Sequence, residues 1–420
     1  MANLDASSAY ALDAKDDLAH FRDKFVSRDP ELIYLDGNSL GRLPRATMTR
    51  LQDLVEKEWG DRLIRGWNEG WFEMAQKVGD KIGQLIGAQP GEVIVGDSTS
   101  VNLYKLALAA VLARPNRPQI ITDDLNFPSD VYILQGIAQQ APGRTVRVVH
   151  SADQIHGPVA DISAALNERT ALLSLSHTVF KSGYTYDLAA VSAAARDAGA
   201  LTLWDFSHSV GSVPINVTEA KVDMAVGCTY KYLNGGPGAP AFLYVRRSLQ
   251  EQLRNPIAGW FGQQNMFDFG LDYQPTAGIR RFMVGTPPIL GLAAVDVGVN
   301  IVLEAGMAKL RQKSVQQTEY LIALYHEFLA PLGFRLNSPT EGARRGSHIS
   351  IGHDEGWRIN QAFIHDTHVL PDFRAPDNLR LGIAPLYTTF VDLHTAVMRL
   401  RNLVANKVYE KYDVERTAVT

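Results

Sequence analysis

The sequence predicts an α/β protein: a large domain on a mostly parallel, doubly wound seven-stranded sheet, and a smaller α+β domain. Three observations lead to this fold class. The 420 residues exceed what one compact core usually holds. From residue 92 to residue 245, short apolar runs alternate with helical or turn segments, which is typical of parallel strands covered by helices. The C-terminal part instead combines short strands with long helical patterns.

The predicted borders divide the chain into three segments. Residues 1–60 form an N-terminal segment that packs with the small domain, residues 61–288 form the large domain, and residues 289–420 form the small domain. Pro287 and Pro288 precede the long helical pattern that opens the last segment.

The N-terminal segment begins with a helical spacing of apolar residues between residues 16 and 25. A short strand from Ile33 breaks into the polar turn 36–38, and helical regions follow at about 45–65 and 73–87. The loop between these helices holds two tryptophans, and aromatic side chains in such loops either cover a core or line a pocket.

Seven apolar runs predict the strands of the large sheet: Val93–Val95, Ile120–Thr122, Val146–Val149, Ala171–Leu175, Leu201–Trp204, Met224–Cys228 and Ala241–Val245. The clearest helices between them are 102–113, 129–140 and 189–198. The small domain is predicted to contain a helix from 288 to about 311 that continues over 317–332, strands at 348–351 and 379–382, and a closing helix at 392–408.

Composition argues against several classes of protein. The net charge of −4 and the scattered basic residues give no footprint for nucleic acid or an acidic membrane. The single cysteine, Cys228, excludes an internal disulfide and fits a reducing compartment. Residues 1–17 lack the apolar core of a secretory signal, and no run approaches the ~18 apolar residues of a membrane span. We therefore expect a soluble cytoplasmic protein.

Candidate functional residues follow the predicted strands, because ligands of doubly wound sheets bind outside the carboxyl ends of the strands. These residues include hydroxyls in 96–102, the segment 126–130, Ser176 with His177, and the acidic segment 205–208. Hydroxyls and backbone N–H groups at a helix start bind phosphate, although an ordinary helix cap explains them equally simply.

Lys231 comes just after an apolar strand and is backed by the Gly- and Pro-rich turn 233–238. A lysine that loses water there can become a nucleophile that forms a Schiff base. The simpler explanation is a lysine that reaches out of a strand end to solvent. Asp205 ends another buried strand, where a carboxylate is unfavourable unless it meets a cation.

Together these groups match the needs of pyridoxal phosphate (PLP): a phosphate cradle, a flat aromatic ring, a carboxylate for the pyridine nitrogen and a lysine. No G-x-G-x-x-G follows a strand and no P-loop motif occurs, so dinucleotide and nucleoside triphosphate sites lack their anchors. The histidines form no H-E-x-x-H motif, and we predict no metal site.

Several motifs resemble those of kynureninases, which are fold-type I PLP enzymes of the class V aminotransferase-like superfamily. The resemblance extends over essentially the whole chain, and it rests on Tyr34-Leu-Asp-Gly-Asn-Ser-Leu-Gly41, Phe127-Pro-Ser-Asp130, Asp205-x-x-His208, Tyr230-Lys-Tyr-Leu-Asn234, Gly259-Trp-Phe-Gly262, Thr286-Pro-Pro288 and Leu379-Arg-Leu-Gly-Ile-Ala-Pro-Leu-Tyr387.

The resemblance implies a role for each matching position. Lys231, Tyr230 and Asp205 would be catalytic, with Lys231 bound covalently to PLP and Asp205 at the pyridine nitrogen. The other cofactor-binding positions are Thr99, Ser100, Phe127, Asp130, Ser176 and His208, with Trp260 and Thr286 supplied by the partner subunit of a homodimer. Arg380 would hold the substrate carboxylate, and the remaining substrate-binding positions are Trp67, Asn38 and Ser39. Some family members carry Asn where this chain has Thr286.

The resemblance implies hydrolysis of the β–γ bond of L-kynurenine, 3-hydroxy-L-kynurenine or both, within tryptophan catabolism and NAD biosynthesis. Tyr230 is interpreted either as a proton donor and acceptor or as a phosphate ligand only. Two other enzyme classes, a cysteine desulfurase and an aminotransferase, stay open, as does a PLP-binding protein without catalysis. The motifs do not decide between kynurenine and 3-hydroxykynurenine.

Overall fold

A computed structural model of the protein describes residues 4–415. Residues 1–3 and 416–420, the outer ends of the predicted first and last segments, lie outside the described residues. The strands in the described range are β1 Ile33–Tyr34, β2 Val93–Val95, β3 Gln119–Asp123, β4 Thr145–Val149, β5 Thr170–Ser176, β6 Leu201–Asp205, β7 Met224–Gly227, β8 Phe242–Val245, β9 Arg335–Leu336, β10 His348–Gly352, β11 Val369–Leu370, β12 Asp372–Arg374 and β13 Asn378–Gly382.

Helices surround these strands on both faces. The α-helices are α1 Ala6–Asp13, α2 Arg45–Asp53, α3 Trp71–Ile86, α4 Thr99–Leu112, α5 Pro128–Gln140, α6 Val159–Ala165, α7 Leu188–Asp197, α8 Arg247–Gln250, α9 Ile289–Ala305, α10 Met307–Leu324, α11 Gly356–Thr367 and α12 Phe390–Ala405. Two π-helices, Leu54–Arg62 and Tyr325–Leu329, extend α2 and α10.

The large sheet has the strand order β2-β8-β7-β6-β5-β3-β4 within the described chain. Only β8 runs antiparallel to its neighbours there, so the other strands all point their carboxyl ends to one edge. The predicted α/β fold with a mostly parallel seven-stranded sheet is therefore confirmed. A second sheet, β12-β13-β10-β9, is antiparallel and forms the smaller α+β part.

Burial explains why the central strands form. All seven residues of β5 are buried, as expected for a strand covered on both faces by helices. On one side α3 presents a buried apolar face to β2, and Gly79 in that helix lets its backbone approach the carbonyl of Val93. Polar residues lie at the edge of this sheet where the parallel strands end.

The structure departs from the sequence prediction at three helices. The predicted helix from 288 to about 311 breaks at Gly306, whose φ of 78° lies in the region that favours glycine. The predicted helix 45–65 loses its α geometry at Leu54 and ends at Leu63, where φ is +54°. Residues 16–25 form only the short 3₁₀ helix Ala19–Lys24.

The buried apolar residues of the described chain form two hydrophobic cores, and these cores bear on where the domains divide. The buried side chains of α9, which follow the predicted border at residue 289, belong to the core of the large sheet. Among the residues after α9, Tyr320 on α10 is the first that belongs to the smaller core. The N-terminal segment contributes to both, with Phe21 and Phe25 in the larger core and Leu35 in the smaller. We therefore propose a border within α10, between Leu310 and Tyr320.

No single helix within residues 4–415 is long and apolar enough to cross a membrane. The pair Ile289–Ala305 and Met307–Leu332 reaches that length and composition only when taken together, across a bend of 80°.

The packing of α9 gives a stability prediction with a matched control. A Cβ at position 298 would overlap the carbonyl oxygen of Leu233, in the loop that follows Lys231. We expect Gly298→Ala to lower the free energy of unfolding by about 1–3 kcal/mol, because overpacking forces the backbone apart.

The control is Gly136 in α5, where an added Cβ meets nothing within 4 Å. Gly136→Ala should raise stability by about 0.5–1 kcal/mol, since alanine favours the helix. Urea denaturation of both variants checks the pair, and equal effects would contradict the packing of α9 on this loop.

Candidate active site

A cavity of about 230 Å³ lies at the carboxyl edge of the large sheet and extends to the small sheet. Eleven of the predicted site residues line it: Ser39, Thr99, Ser100, Phe127, Asp130, Ser176, Asp205, His208, Tyr230, Lys231 and Arg380. The cavity therefore brings together side chains that are far apart in the sequence, from the N-terminal segment to β13.

Lys231 is held by the backbone around it. Its carbonyl accepts a hydrogen bond of 2.9 Å from the N–H of Asn234, which closes the turn after β7. Gly41 donates to the carbonyl of Tyr230 at 2.8 Å, and a Cβ at position 41 would overlap the carbonyl of Lys231. The side chain is only partly buried, less than the sequence predicted, because it faces the cavity.

His208 is the direct partner of this lysine. Lys231 Nζ lies 2.8 Å from His208 Nε2. Burial and the nearby charges of Lys231 and Arg380 lower the pKa of His208 well below its ordinary value. The imidazole is thus uncharged at neutral pH, and its Nε2 lies within hydrogen-bond distance of the lysine amine.

Two carboxylates, Asp205 and Asp130, are buried in the wall of the same cavity. Burial raises the pKa of Asp205, while Lys231 and the hydrogen bonds from Ser207, one of them 2.8 Å from the backbone N–H, oppose the rise. The pKa of Asp130 lies well above its ordinary value because of burial and the charge of Asp205. Two buried carboxylates thus face one lysine, an arrangement that favours a further cation in the cavity.

The start of α4 supplies an anion-binding group. Ser98 caps the helix, with its Oγ accepting from the N–H of Val101 at 3.3 Å. The first-turn N–H groups of Thr99 and Ser100 have no acceptor within a helix, and they lie at its positive end. Phe127 also lines the cavity, 43 % exposed, with its ring edge-on to Phe180.

Tyr230 and Cys228 differ in their access to the cavity. Tyr230 lines it, and the neighbouring Cys228 and burial raise the pKa of its phenol, which keeps the phenol protonated. Cys228 is buried, and burial also raises the pKa of its thiol. A thiol in that state is a poor nucleophile, which argues against a desulfurase role for this residue.

Arg380 reaches the cavity from β13 and is 1 % exposed. Its Nη1 donates to the carbonyl of Phe180 at 2.7 Å, and its Nη2 donates to Ser39 Oγ at 2.7 Å. The same Nη2 forms an ion pair with Asp372 and lies 3.9 Å from Asp36 Oδ1. A guanidinium fixed on several sides can hold a carboxylate in one orientation.

Four predicted residues lie elsewhere. Asn38 is fully buried against Gly382 and does not line the cavity, and its contact with a substrate stays a prediction. Trp67 packs on Trp71, Phe72 and Phe261 in an aromatic cluster, which also places it outside the cavity. Trp260 and Thr286 are exposed on the surface of the single chain.

Sequence reasoning missed four residues of the cavity wall: Ser129, Phe180, Ser207 and Arg374. Ser129 and Ser207 lie inside the motifs 127–130 and 205–208, so the sequence could have predicted them as cavity residues. Phe180 and Arg374 belong to a loop and to a three-residue strand that no pattern predicted.

The residues present fit PLP. The helix start at Thr99 suits a phosphate, and Phe127 offers a partly exposed ring face. The excess of buried carboxylates suits a protonated pyridine nitrogen at Asp205. His208 Nδ1 is a further buried atom without a hydrogen-bond partner in the described range.

Comparison with known proteins agrees with this site. A kynureninase from Pseudomonas fluorescens is 42 % identical over 406 residues, which cover 95 % of each chain. The chain belongs to the kynureninase family. A kynureninase from Burkholderia pseudomallei (strain 1106a) is 40 % identical over 420 residues, covering 98 % of this chain and 99 % of the relative. The family model of the kynureninase C-terminal domain matches residues 310–400.

Solved structures show the same fold at low sequence identity. The cysteine desulfurase CsdA from Escherichia coli superposes with a TM-score of 0.79 at 17 % identity, covering 93 % of this chain and 99 % of that one. The enzyme C-DES, in a structure with glycine covalently linked to its PLP cofactor, gives 0.76 at 18 % identity over 89 % and 97 %. The kynureninase-family chain thus has the fold of fold-type I PLP enzymes.

Asp36 gives a pH-dependent stability prediction. Burial and the charge of Asp372 raise its pKa from 3.8 to about 6. The folded state therefore holds a proton that the unfolded state loses, and this stabilisation falls as pH rises from about 3.8 to about 6. Asp36→Asn lacks this loss, so its thermal stability relative to the wild type should increase between about pH 4 and about pH 8.

Thermal melting at both pH values checks the prediction, with Asp17→Asn at an exposed site as the control. A constant difference between Asp36→Asn and wild type across this range would contradict the raised pKa.

Proposed function

We propose that the chain is a PLP-dependent kynureninase, a hydrolase that acts on a C–C bond of a ketone. It cleaves the Cβ–Cγ bond of L-kynurenine with water, giving anthranilate and L-alanine, and 3-hydroxy-L-kynurenine is the alternative substrate. The supporting observation is the convergence of Lys231, Asp205 and Arg380 on one cavity in a chain of the kynureninase family. The reaction belongs to tryptophan catabolism, and a cytoplasmic location stays a prediction.

The large domain supplies the cofactor-binding half of the site. Thr99 and Ser100 would hold the phosphate, Phe127 would stack on the ring, and Lys231 would bind the aldehyde carbon. The chemistry that PLP supplies when bound is an electron-accepting ring, conjugated to the substrate Cα through the amine nitrogen.

Asp205 and Lys231 act on protons in the proposed reaction, and His208 positions the amine of Lys231. Asp205 holds the proton on the pyridine nitrogen, because a buried carboxylate needs a cationic partner. With the cofactor and substrate bound, the amine of Lys231 would remove and return the proton at the substrate Cα. The hydrogen bond of 2.8 Å between Nζ and His208 Nε2 limits the rotation of the lysine amine.

The substrate is oriented from the small domain. Arg380 binds the α-carboxylate, with Ser39 fixing the guanidinium that binds it. Water adds to the aryl ketone at Cγ, and loss of anthranilate breaks the Cβ–Cγ bond. The protonated phenol of Tyr230 can donate to the oxygens of the hydrated ketone or to a phosphate oxygen.

The desulfurase alternative is favoured by the solved structures of similar fold but not by the site. Cys228 is buried and does not line the cavity, whereas a desulfurase needs a thiol that reaches the substrate sulfur. An aminotransferase would form alanine only with a keto acid as the amino acceptor.

The direct test is incubation of the PLP-loaded protein with L-kynurenine in the absence of any keto acid. We expect anthranilate and L-alanine in equal amounts, measured by fluorescence and amino-acid analysis. Alanine that forms only after a keto acid is added would identify an aminotransferase. The absence of product from both kynurenines would leave a PLP-binding protein without this activity. The ratio of kcat/KM for the two kynurenines decides the substrate preference.

A homodimer with shared active sites is part of the proposal. Trp260, Phe267, Phe269 and Leu271 are exposed large apolar residues near one another in the chain, and Leu290 adds another. Soluble monomers rarely expose such patches, so a second copy of the chain is the expected cover. Trp260 and Thr286 would then reach the cavity of the partner subunit.

Mixing two inactive variants tests the shared site. Lys231→Ala and Trp260→Ala should each lose activity, but hybrid dimers would contain one intact site. Unfolding and refolding the two variants together should therefore restore about one quarter of the wild-type activity. The control is each variant refolded alone, and no recovery in the mixture would contradict the contribution of Trp260 across the interface.

A further inference from the structure

A second arginine, Arg374, lies in the cavity beside Arg380. The two residues belong to neighbouring antiparallel strands, β12 and β13, on which Asp372 is paired directly with Arg380. Side chains of directly paired residues share one face of a sheet, and residues two apart on a strand do so as well. The register therefore places Asp372 between the two guanidinium groups.

Asp372 is the centre of this charge cluster and its side chain is 3 % exposed. Its Oδ2 accepts from Arg374 Nη2 at 2.8 Å, from Ser39 Oγ at 3.2 Å and from Arg380 Nη2. The Nε atoms of both arginines are buried and have no hydrogen-bond partner in the described chain. One carboxylate is thus shared by two cations that retain unused donors.

Asp36 is the other acidic group next to Arg380. The charged groups that face it are Asp372 and Arg374 on β12 and Arg380 on β13, and the phenols of Tyr34, Tyr232 and Tyr387 are the remaining titratable neighbours. Its Oδ1 makes no hydrogen bond within residues 4–415, and burial raises its pKa to about 6. Asp36 is therefore the carboxylate of the cluster that most readily becomes neutral.

We propose that Arg374 is a specificity-determining residue: with Asp372 shared between two guanidiniums, Arg374 leaves the cluster one positive charge that selects ligands bearing a carboxylate. This inference rests on the proposed function. It adds that the positive charge attracting the α-carboxylate comes from Arg374 as well as from Arg380. Asp372 is a positioning residue, because its carboxylate pairs with the guanidinium of Arg380 and fixes its orientation.

The net charge of the cluster shows why Arg374 would matter for binding a carboxylate. Below about pH 6, where Asp36 is neutral, the two arginines and Asp372 carry a net charge of +1, and a bound carboxylate makes the cluster neutral. Without Arg374, Asp372 alone neutralises Arg380, and an incoming carboxylate would add an uncompensated negative charge to a buried site. Arg374→Lys would keep the positive charge but lose the planar pair of N–H donors that a guanidinium offers.

The test uses the PLP-loaded enzyme and two probes that lack an amine, 4-oxo-4-phenylbutanoate and its neutral amide. Neither probe can bond to the cofactor through an amine, so calorimetry measures binding alone. We expect Arg374→Gln to weaken binding of the acid by about tenfold to a hundredfold and to leave binding of the amide unchanged. Arg374→Lys should retain most of the affinity for the acid.

The matched control is Arg335→Gln, which removes an arginine paired with Asp377 on the same small sheet but outside the cavity. This variant should bind both probes as the wild type does. An unchanged affinity for the acid in Arg374→Gln would overturn the proposal. Equal losses for acid and amide, or equal losses in the Gln and Lys variants, would also overturn it and indicate a packing role.

A measurement on the wild type removes any dependence on the folding of Arg374→Gln. Ionisation of Asp36 cancels the net charge, so affinity for the acid should fall as pH rises through about 6, while affinity for the amide stays constant. Asp36→Asn should lack this fall, and a fall that persists in Asp36→Asn would contradict the charge count. These binding results do not require turnover, so failure of the kynurenine assay is distinguishable from failure of this proposal.

Discussion

The pairing of charges at the carboxyl edge of the large sheet is the constraint on which the site depends. Parallel strands place Asp205 and Ser176 at one edge, together with the turn that carries Lys231. Asp205 is buried, and a buried carboxylate is unfavourable without a cationic or hydrogen-bonding partner. Lys231, Ser207 and a protonated cofactor nitrogen satisfy this need, and neutral His208 adds no competing positive charge.

The cavity joins two halves with different tasks. The large domain provides the start of α4, which we propose binds the phosphate, together with an aromatic face and the lysine at the edge of the seven-stranded sheet. The small domain provides Arg380, whose Nη1 hydrogen bond to the carbonyl of Phe180 connects β13 to the large domain. In the proposed function, the carboxylate of the substrate would thereby be held at a defined position relative to the lysine, which is the positioning that rate enhancement requires.

The sequence predicted the parts of this arrangement that follow from strand order. Each central strand is recognisable as an apolar run, so the amino-acid sequence alone assigns the residues after its end to the carboxyl edge. Arg374 was missed because β12 has only three residues, too few for an alternating pattern. Sequence does not tell which side of a turn faces a cavity, and of the neighbours Asn38 and Ser39 only Ser39 lines it. The π-helix after α2 and the break at Gly306 depend on tertiary packing, which propensity does not encode.

The central claim is that Lys231, and no other lysine, binds the aldehyde of the cofactor. The most direct measurement is reduction of the PLP-loaded protein with borohydride, followed by proteolysis and mass spectrometry of the labelled peptide. The account predicts a pyridoxyl label on Lys231 and loss of the cofactor absorbance in Lys231→Ala. A label on another lysine, or a protein that stays colourless after incubation with PLP, would contradict it.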